Sequence, residues 1–184
     1  MAGHYGAMPG VVSYQIYNEP HYPANGTFDY HPLAIEGFRK WLEEQGEAPF
    51  DPPRARPQRG EDPKPWILWR LYSLGALMRF LRDSGEAAKA AAPDKETYTC
   101  VTSTPAGNRQ MDDGVSYFDS AEDMDVMGIT TYIGSQGCEY WIGNYVHDMA
   151  ESAAALQGKH AWTIEVDART HMPARKLHLE TYSI

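Results

Sequence analysis

Residues 11–20 read VVSYQIYNEP. Val11, Val12, Tyr14, Ile16 and Tyr17 suit a pleated, covered surface, so the stretch opens as a strand. It closes on Asn18, Glu19 and Pro20, a carboxamide beside a carboxylate and then a residue with no N–H for a sheet ladder. A strand that stops by presenting a carboxylate points to a parallel α/β fold, where function collects at the strands' C-terminal ends.

The rest of the chain supports that class. Strand-like runs cover residues 11–17, 97–103, 126–132 and 161–166. None alternates cleanly between apolar and polar, which predicts strands covered on both faces. Helical patterns lie between them. Pro32 suits a first helical position, with Ala34, Phe38, Trp41 and Leu42 marking one face. Residues 46–65 are rich in Pro, Gly and charge and predict a loop or insertion. A long helix follows, with Ile67, Leu71, Leu74, Met78 and Leu81 on its apolar face and an end near Pro93. A short connection joins the second and third strands. A last helix is marked by Trp141, Tyr145, Met149, Ala153 and Leu156 and stops at Gly158. Strands alternating with helices predict a parallel sheet with right-handed crossovers.

Composition excludes several function classes. The 184 residues suffice for one domain with a real core. The net charge of −9, with no basic run, argues against nucleic acid as a partner. The arginines at 54, 56 and 59 lie among prolines and acids and read as a solvated loop. No apolar stretch approaches the roughly 18 residues that span a membrane. No signal-peptide pattern is visible at the N-terminus, and that says little about location. Cys100 and Cys138 lack metal-ligand spacing and read as free thiols. The seven histidines form no HxxxH or HxH pair, so no metal is expected. Aromatic content is 12%, which fits ordinary packing first and sugar-stacking platforms second.

Three of the four strand ends carry chemistry: Tyr17-Asn18-Glu19-Pro20, Tyr132, and Glu165 of HAWTIEVDAR. The second, YTCVTST, offers only Thr102, Ser103 and Thr104. Two carboxylates on different strand ends are the minimum set for cleaving a glycosidic bond, one as proton donor and one as nucleophile or base. Asp125 reads as a cap or loop residue, and Asp167 as a weaker candidate for lining the site.

Here the chain resembles a known group. YQIYNEP is similar to the fourth strand of clan A glycoside hydrolases, which are (β/α)8 barrels, and most like the family 42 β-galactosidases. HYGAMPGVVSYQIYNEP resembles the end of helix three followed by strand four, and FRKWLEEQ the fourth helix. SYFDSAEDMDVMGITTYIG resembles the approach to strand six and that strand, and KHAWTIEVDAR strand seven. The resemblance implies one partial barrel domain over residues 1–184, strands four to seven, with the insertion at about 46–65. It implies a retaining glycosidase with Glu19 as acid/base and Glu165 as nucleophile. Asn18 would bind the sugar 2-hydroxyl and Tyr132 would hydrogen-bond the nucleophile. Trp141 would serve as a sugar platform, although its helical spacing suits a core role equally. The partner is a carbohydrate substrate, and no cofactor is required. A complete barrel takes about 250 residues, so the chain is expected to be a fragment of a longer protein, with little or no activity alone. An open half-barrel exposes two strand edges, which favours self-association into a homo-oligomer. β-Mannanases, cellulases and β-glucosidases of the same clan share the Asn-Glu-Pro pattern, and a non-catalytic carbohydrate-binding barrel is a further alternative.

Overall fold

The computed structural model describes residues 1–22, 28–102, 115–131 and 140–166. Its centre is a four-stranded, all-parallel sheet in sequential order: β1 (Ser13–Asn18), β2 (Glu96–Val101), β3 (Val126–Thr131) and β4 (Ala161–Val166). The helices are α1 (Ala2–Tyr5), α2 (Pro32–Glu44), α3 (Lys64–Ala91), α4 (Tyr117–Asp123) and α5 (Tyr140–Leu156). The α/β class and the parallel sheet read from the sequence are those observed.

Local chemistry sets the element ends. His31 Nδ1 accepts the Leu33 amide and Pro32 occupies the first turn of α2, where its missing N–H costs nothing. Pro93 lies two residues beyond α3 and cannot continue it. After α5, Gly158 turns the chain with φ +65°, a left-handed conformation that favours glycine. At the edge of the sheet β1 begins at Ser13, not at residue 11. Val12 is 71% exposed and joins the sheet only through its carbonyl, which accepts the Glu96 amide at 3.3 Å.

The short connection expected between β2 and β3 contains α4. Ser116 caps it, its hydroxyl accepting the Asp119 amide at 3.2 Å. Lys159 fastens the other end, donating to the carbonyls of Ala121, Glu122 and Met124 at 2.6–2.8 Å.

The helices pack on one face of the sheet. Val101, Met127 and Ile129 meet Tyr117 and Ala121 of α4 and Val146, Ala150 and Ala153 of α5. Ile16 packs beside Met78 and Leu81 of α3. The expected cover on both faces is met by β3, buried at every position, and not by the edge strand β1, which is only partly covered. The second face, with Gln15, Tyr98, Gly128 and Trp162, packs side chain on side chain across the strands, as a barrel interior does. Tyr98 donates to Gln15 Oε1 at 3.3 Å and meets the Trp162 ring edge-on at 5.8 Å. Gly128 permits that closeness: a Cβ there would stand 2.5 Å from the Thr99 carbonyl and 3.2 Å from the Tyr98 ring.

Two helical faces also differ from the expected ones. Ile67 and Leu71 of α3 and Tyr145 and Leu156 of α5 are exposed. The buried positions of α3 include Trp69, Arg70 and Ser73, because a separate aromatic cluster docks that half of the helix against α2. Trp69 is its hub, stacked on Tyr72 and edge-on to Phe38 and Phe28, and Arg70 lays its guanidinium over Phe28 at 4.1 Å. Much of the aromatic content is thus spent on packing. Arg54, read as part of a solvated loop, is exposed but covers the Tyr30 ring at 4.4 Å.

Asp125 is structural, as expected. Its carboxylate accepts the Thr97 amide at 2.8 Å and hydroxyl at 3.0 Å and pairs with Lys89 at 3.0 Å. Partial burial pushes this carboxyl up, but the Thr97 bonds and the Lys89 ammonium outweigh it and hold it below the usual aspartate range. A depressed acid stabilises the fold above its unfolded value of about 3.9, and that contribution is lost as pH falls through the folded value. Asp125→Asn is expected to destabilise the protein at pH 7, with the gap from wild type narrowing below about pH 4. Urea unfolding at pH 7 and pH 3 measures this, and an unchanged gap contradicts it.

Candidate active site at the strand ends

Glu19 follows β1 directly. Its backbone is left-handed, with φ +48°, the one non-glycine among the described residues with positive φ. Such a conformation costs on the order of 1–3 kcal/mol and persists only where the surroundings impose it. Here the Glu19 amide is held by the Cys100 carbonyl at 2.8 Å. The side chain then crosses β2, and Oε1 accepts the Thr130 hydroxyl of β3 at 3.1 Å. Thr130 is fully buried and pairs in register with Glu165 of β4.

Two register shifts aim these groups. On β1, Gln15 pairs with Tyr98 and Asn18 with Cys100, so three steps on one strand match two on the other. On β4, Thr163 pairs with Ile129 and Glu165 with Thr130, two steps against one. Strict alternation would give Asn18 the helix-facing side of Ile16, and Glu165 that of Thr163, whose hydroxyl lies 3.3 Å from His147 Nδ1 on α5. The bulges return both to the face of Gln15 and Thr130. Gln15 Nε2 accordingly reaches Asn18 Oδ1 at 2.7 Å.

Beneath the carboxylates lies the Cys100 thiol. Burial pushes it up to about 12, and Glu165 and Glu19 push in the same direction, so it is neutral at every ordinary pH. Glu19 and Glu165 are both half-buried, while Asn18 is exposed.

The remaining candidates are placed as follows. Trp141 occupies the first turn of α5. Tyr132, Asp167, Ser103, Thr104 and Cys138 lie outside the described residues, as do His171 and His178. Among the described residues no group of three His, Cys, Asp or Glu side chains has the geometry to hold a metal ion. No described helix is long and apolar enough to cross a membrane. The sequence reading missed Thr130 and Cys100 as parts of the site. A hydroxyl and a thiol inside strands carry no pattern of their own, and the bulges that align them exist only once strands pair.

Sequential parallel strands, helices on one face and polar groups gathered at the C-terminal ends define a segment of a (β/α)8 barrel. Solved structures agree. The β-galactosidase from the psychrophilic Marinomonas ef1 superposes with TM-score 0.73 at 15% identity, over 100% of this chain and 34% of that one. The β-galactosidase from Rahnella sp. R3 gives 0.66 at 17% identity, over 94% and 28%. That from Bacillus circulans sp. alkalophilus gives 0.64 at 18% identity, over 83% and 24%. The chain thus spans about a third or less of the length of these similar proteins. No family model and no curated protein sequence matches it. The likeness shows the fold, a partial (β/α)8 barrel.

Proposed function

We propose that this chain supplies strands four to seven of the catalytic barrel of a retaining β-glycosidase, of family 42 β-galactosidase type, and that a longer protein completes the site. The carrying observation is that Glu19, on β1, hydrogen-bonds Thr130, the register partner of Glu165 on β4. Two carboxylates distant in sequence are thereby directed to one stretch of the sheet rim. The resemblance to β-galactosidase structures supports a galactoside as the substrate class.

Glu165, ionised, attacks C1 of the sugar, and the glycosidic C–O bond breaks. Glu19 gives its proton to the departing oxygen. In the second step Glu19 takes a proton from water, the water oxygen bonds to C1, and Glu165 leaves with its electron pair. Two displacements at one carbon return the original configuration, and the chemistry needs carboxyl groups about 5 to 5.5 Å apart. It also needs one carboxyl to keep its proton while the other is ionised. Asn18, its carbonyl held by Gln15, offers its NH2 group to the 2-hydroxyl, a bond that strengthens in the transition state. Tyr132 steadies the nucleophile, and Trp141 contributes a sugar platform.

The test is proton NMR of fresh hydrolysis mixtures from the parent protein, using nitrophenyl β-galactoside, β-glucoside and β-mannoside. The expected result is fastest turnover of the galactoside with the β-anomer of the sugar appearing first. First appearance of the α-anomer contradicts retention. Faster turnover of another sugar reassigns the substrate within the same mechanism.

A further inference from the structure

We propose that Thr130 is a positioning residue of this site: its hydroxyl occupies Oε1 of Glu19, so that Oε2 is the oxygen that carries the proton to the leaving group. The inference rests on the glycosidase reading above. Thr130 sits on the central strand β3, fully buried, and donates to a carboxylate 111 positions away in sequence. Its register partner is Glu165, so the same residue stands between the two carboxylates. A hydroxyl has one proton to donate, and the geometry gives it to Glu19.

That choice has a chemical consequence. A carboxylic acid whose Oε1 accepts a hydrogen bond holds its own proton on Oε2. As the Oε2 proton moves to the glycosidic oxygen, the C1–O bond breaks and the negative charge grows on Glu19. The bond from Thr130 then becomes charge-assisted and stronger. Its strength therefore rises along the step that protonates the leaving group, which is the condition for accelerating that step. The neutral Cys100 thiol below adds no competing charge. The strained Glu19 backbone, tied to the Cys100 carbonyl, fixes the direction from which the carboxyl approaches Thr130.

The experiment compares Thr130→Val, which keeps the shape and removes the donor, with Thr130→Ser, which keeps the donor. Two readouts are taken on the parent protein. In the first, the 13C resonance of the Glu19 side-chain carboxyl at fixed pH is expected to move in Thr130→Val and return in Thr130→Ser. In the second, turnover of an alkyl β-galactoside, whose leaving group needs the proton, is divided by turnover of a nitrophenyl β-galactoside, whose leaving group needs it little. That ratio is expected to fall on the order of tenfold in Thr130→Val, as for one charge-assisted bond lost, and to recover in Thr130→Ser. An unmoved Glu19 resonance overturns the contact. A moved resonance with an unchanged ratio overturns the role in proton delivery. If the wild-type parent protein turns over neither galactoside, the glycosidase reading falls and takes this role with it, and the resonance still reports the contact.

Discussion

Glu165→Gln in the parent protein is expected to lower glycoside turnover by at least about 10⁴-fold, the scale on which loss of a nucleophile acts. The variant keeps the shape of the side chain and the register of Thr130 with residue 165, so the fold and ground-state sugar binding are retained. Only the bond to C1 is removed. Glu165→Ala opens room for a small external nucleophile, and azide is expected to restore turnover with release of the α-glycosyl azide, a single displacement. Glu19→Ala with azide is expected to release the β-glycosyl azide, since there the azide attacks the glycosyl-enzyme. The two products assign the two roles independently. A Glu165→Gln protein that keeps wild-type turnover contradicts the nucleophile assignment. Sugar binding with no turnover, even in wild type, favours the non-catalytic barrel.

Trp69→Ala has the largest expected effect on stability. Trp69 is 1% exposed and touches α2 through Phe38 at 4.9 Å, the segment after β1 through Phe28 and Tyr30, and its own helix through Tyr72. Truncating so central an aromatic costs about 3–5 kcal/mol, because the lost contacts are joined by an unfilled cavity. A domain with about 5–15 kcal/mol of total stability loses a large share of it. Trp69→Phe is expected to cost much less. Trp69 Nε1 is buried without a hydrogen-bond partner among the described residues, so phenylalanine removes an unsatisfied donor together with the lost ring area. Urea unfolding of the three proteins measures both effects. A Trp69→Ala loss under about 1 kcal/mol contradicts the hub role. Tyr22, whose hydroxyl donates to the Ser73 carbonyl at 3.0 Å, packs on the same cluster just after Glu19. Loosening the cluster is therefore also expected to lower turnover.

The order of elements was legible because each carries its own local signal. Pro32 opens α2, Pro93 stops α3, Gly158 ends α5, and β4 occupies residues 161–166 as read. Asn18, Glu19 and Glu165 stood out by ending apolar runs. Other features depend on partners that a linear pattern does not contain. The apolar spacing of α3 pointed to Ile67 and Leu71, yet Arg70 and Ser73 are buried there instead. Arg70 lies over Phe28, and Ser73 Oγ donates to the Trp69 carbonyl at 2.8 Å, so both are compatible with burial. Helix α4 has only seven residues, too few for a clear period. The bulges of β1 and β4 arise from pairing, and they decide which face Asn18 and Glu165 take.

The pairing of two carboxylates in one sugar site is tested most directly by trapping. The parent protein is incubated with a 2-deoxy-2-fluoro-β-galactoside bearing a good leaving group, then digested and mapped by mass spectrometry. The glycosyl label is expected on Glu165, with Glu19→Ala protein still acquiring it because that leaving group needs no proton. A label on any other residue, or turnover without a label, contradicts the assignment.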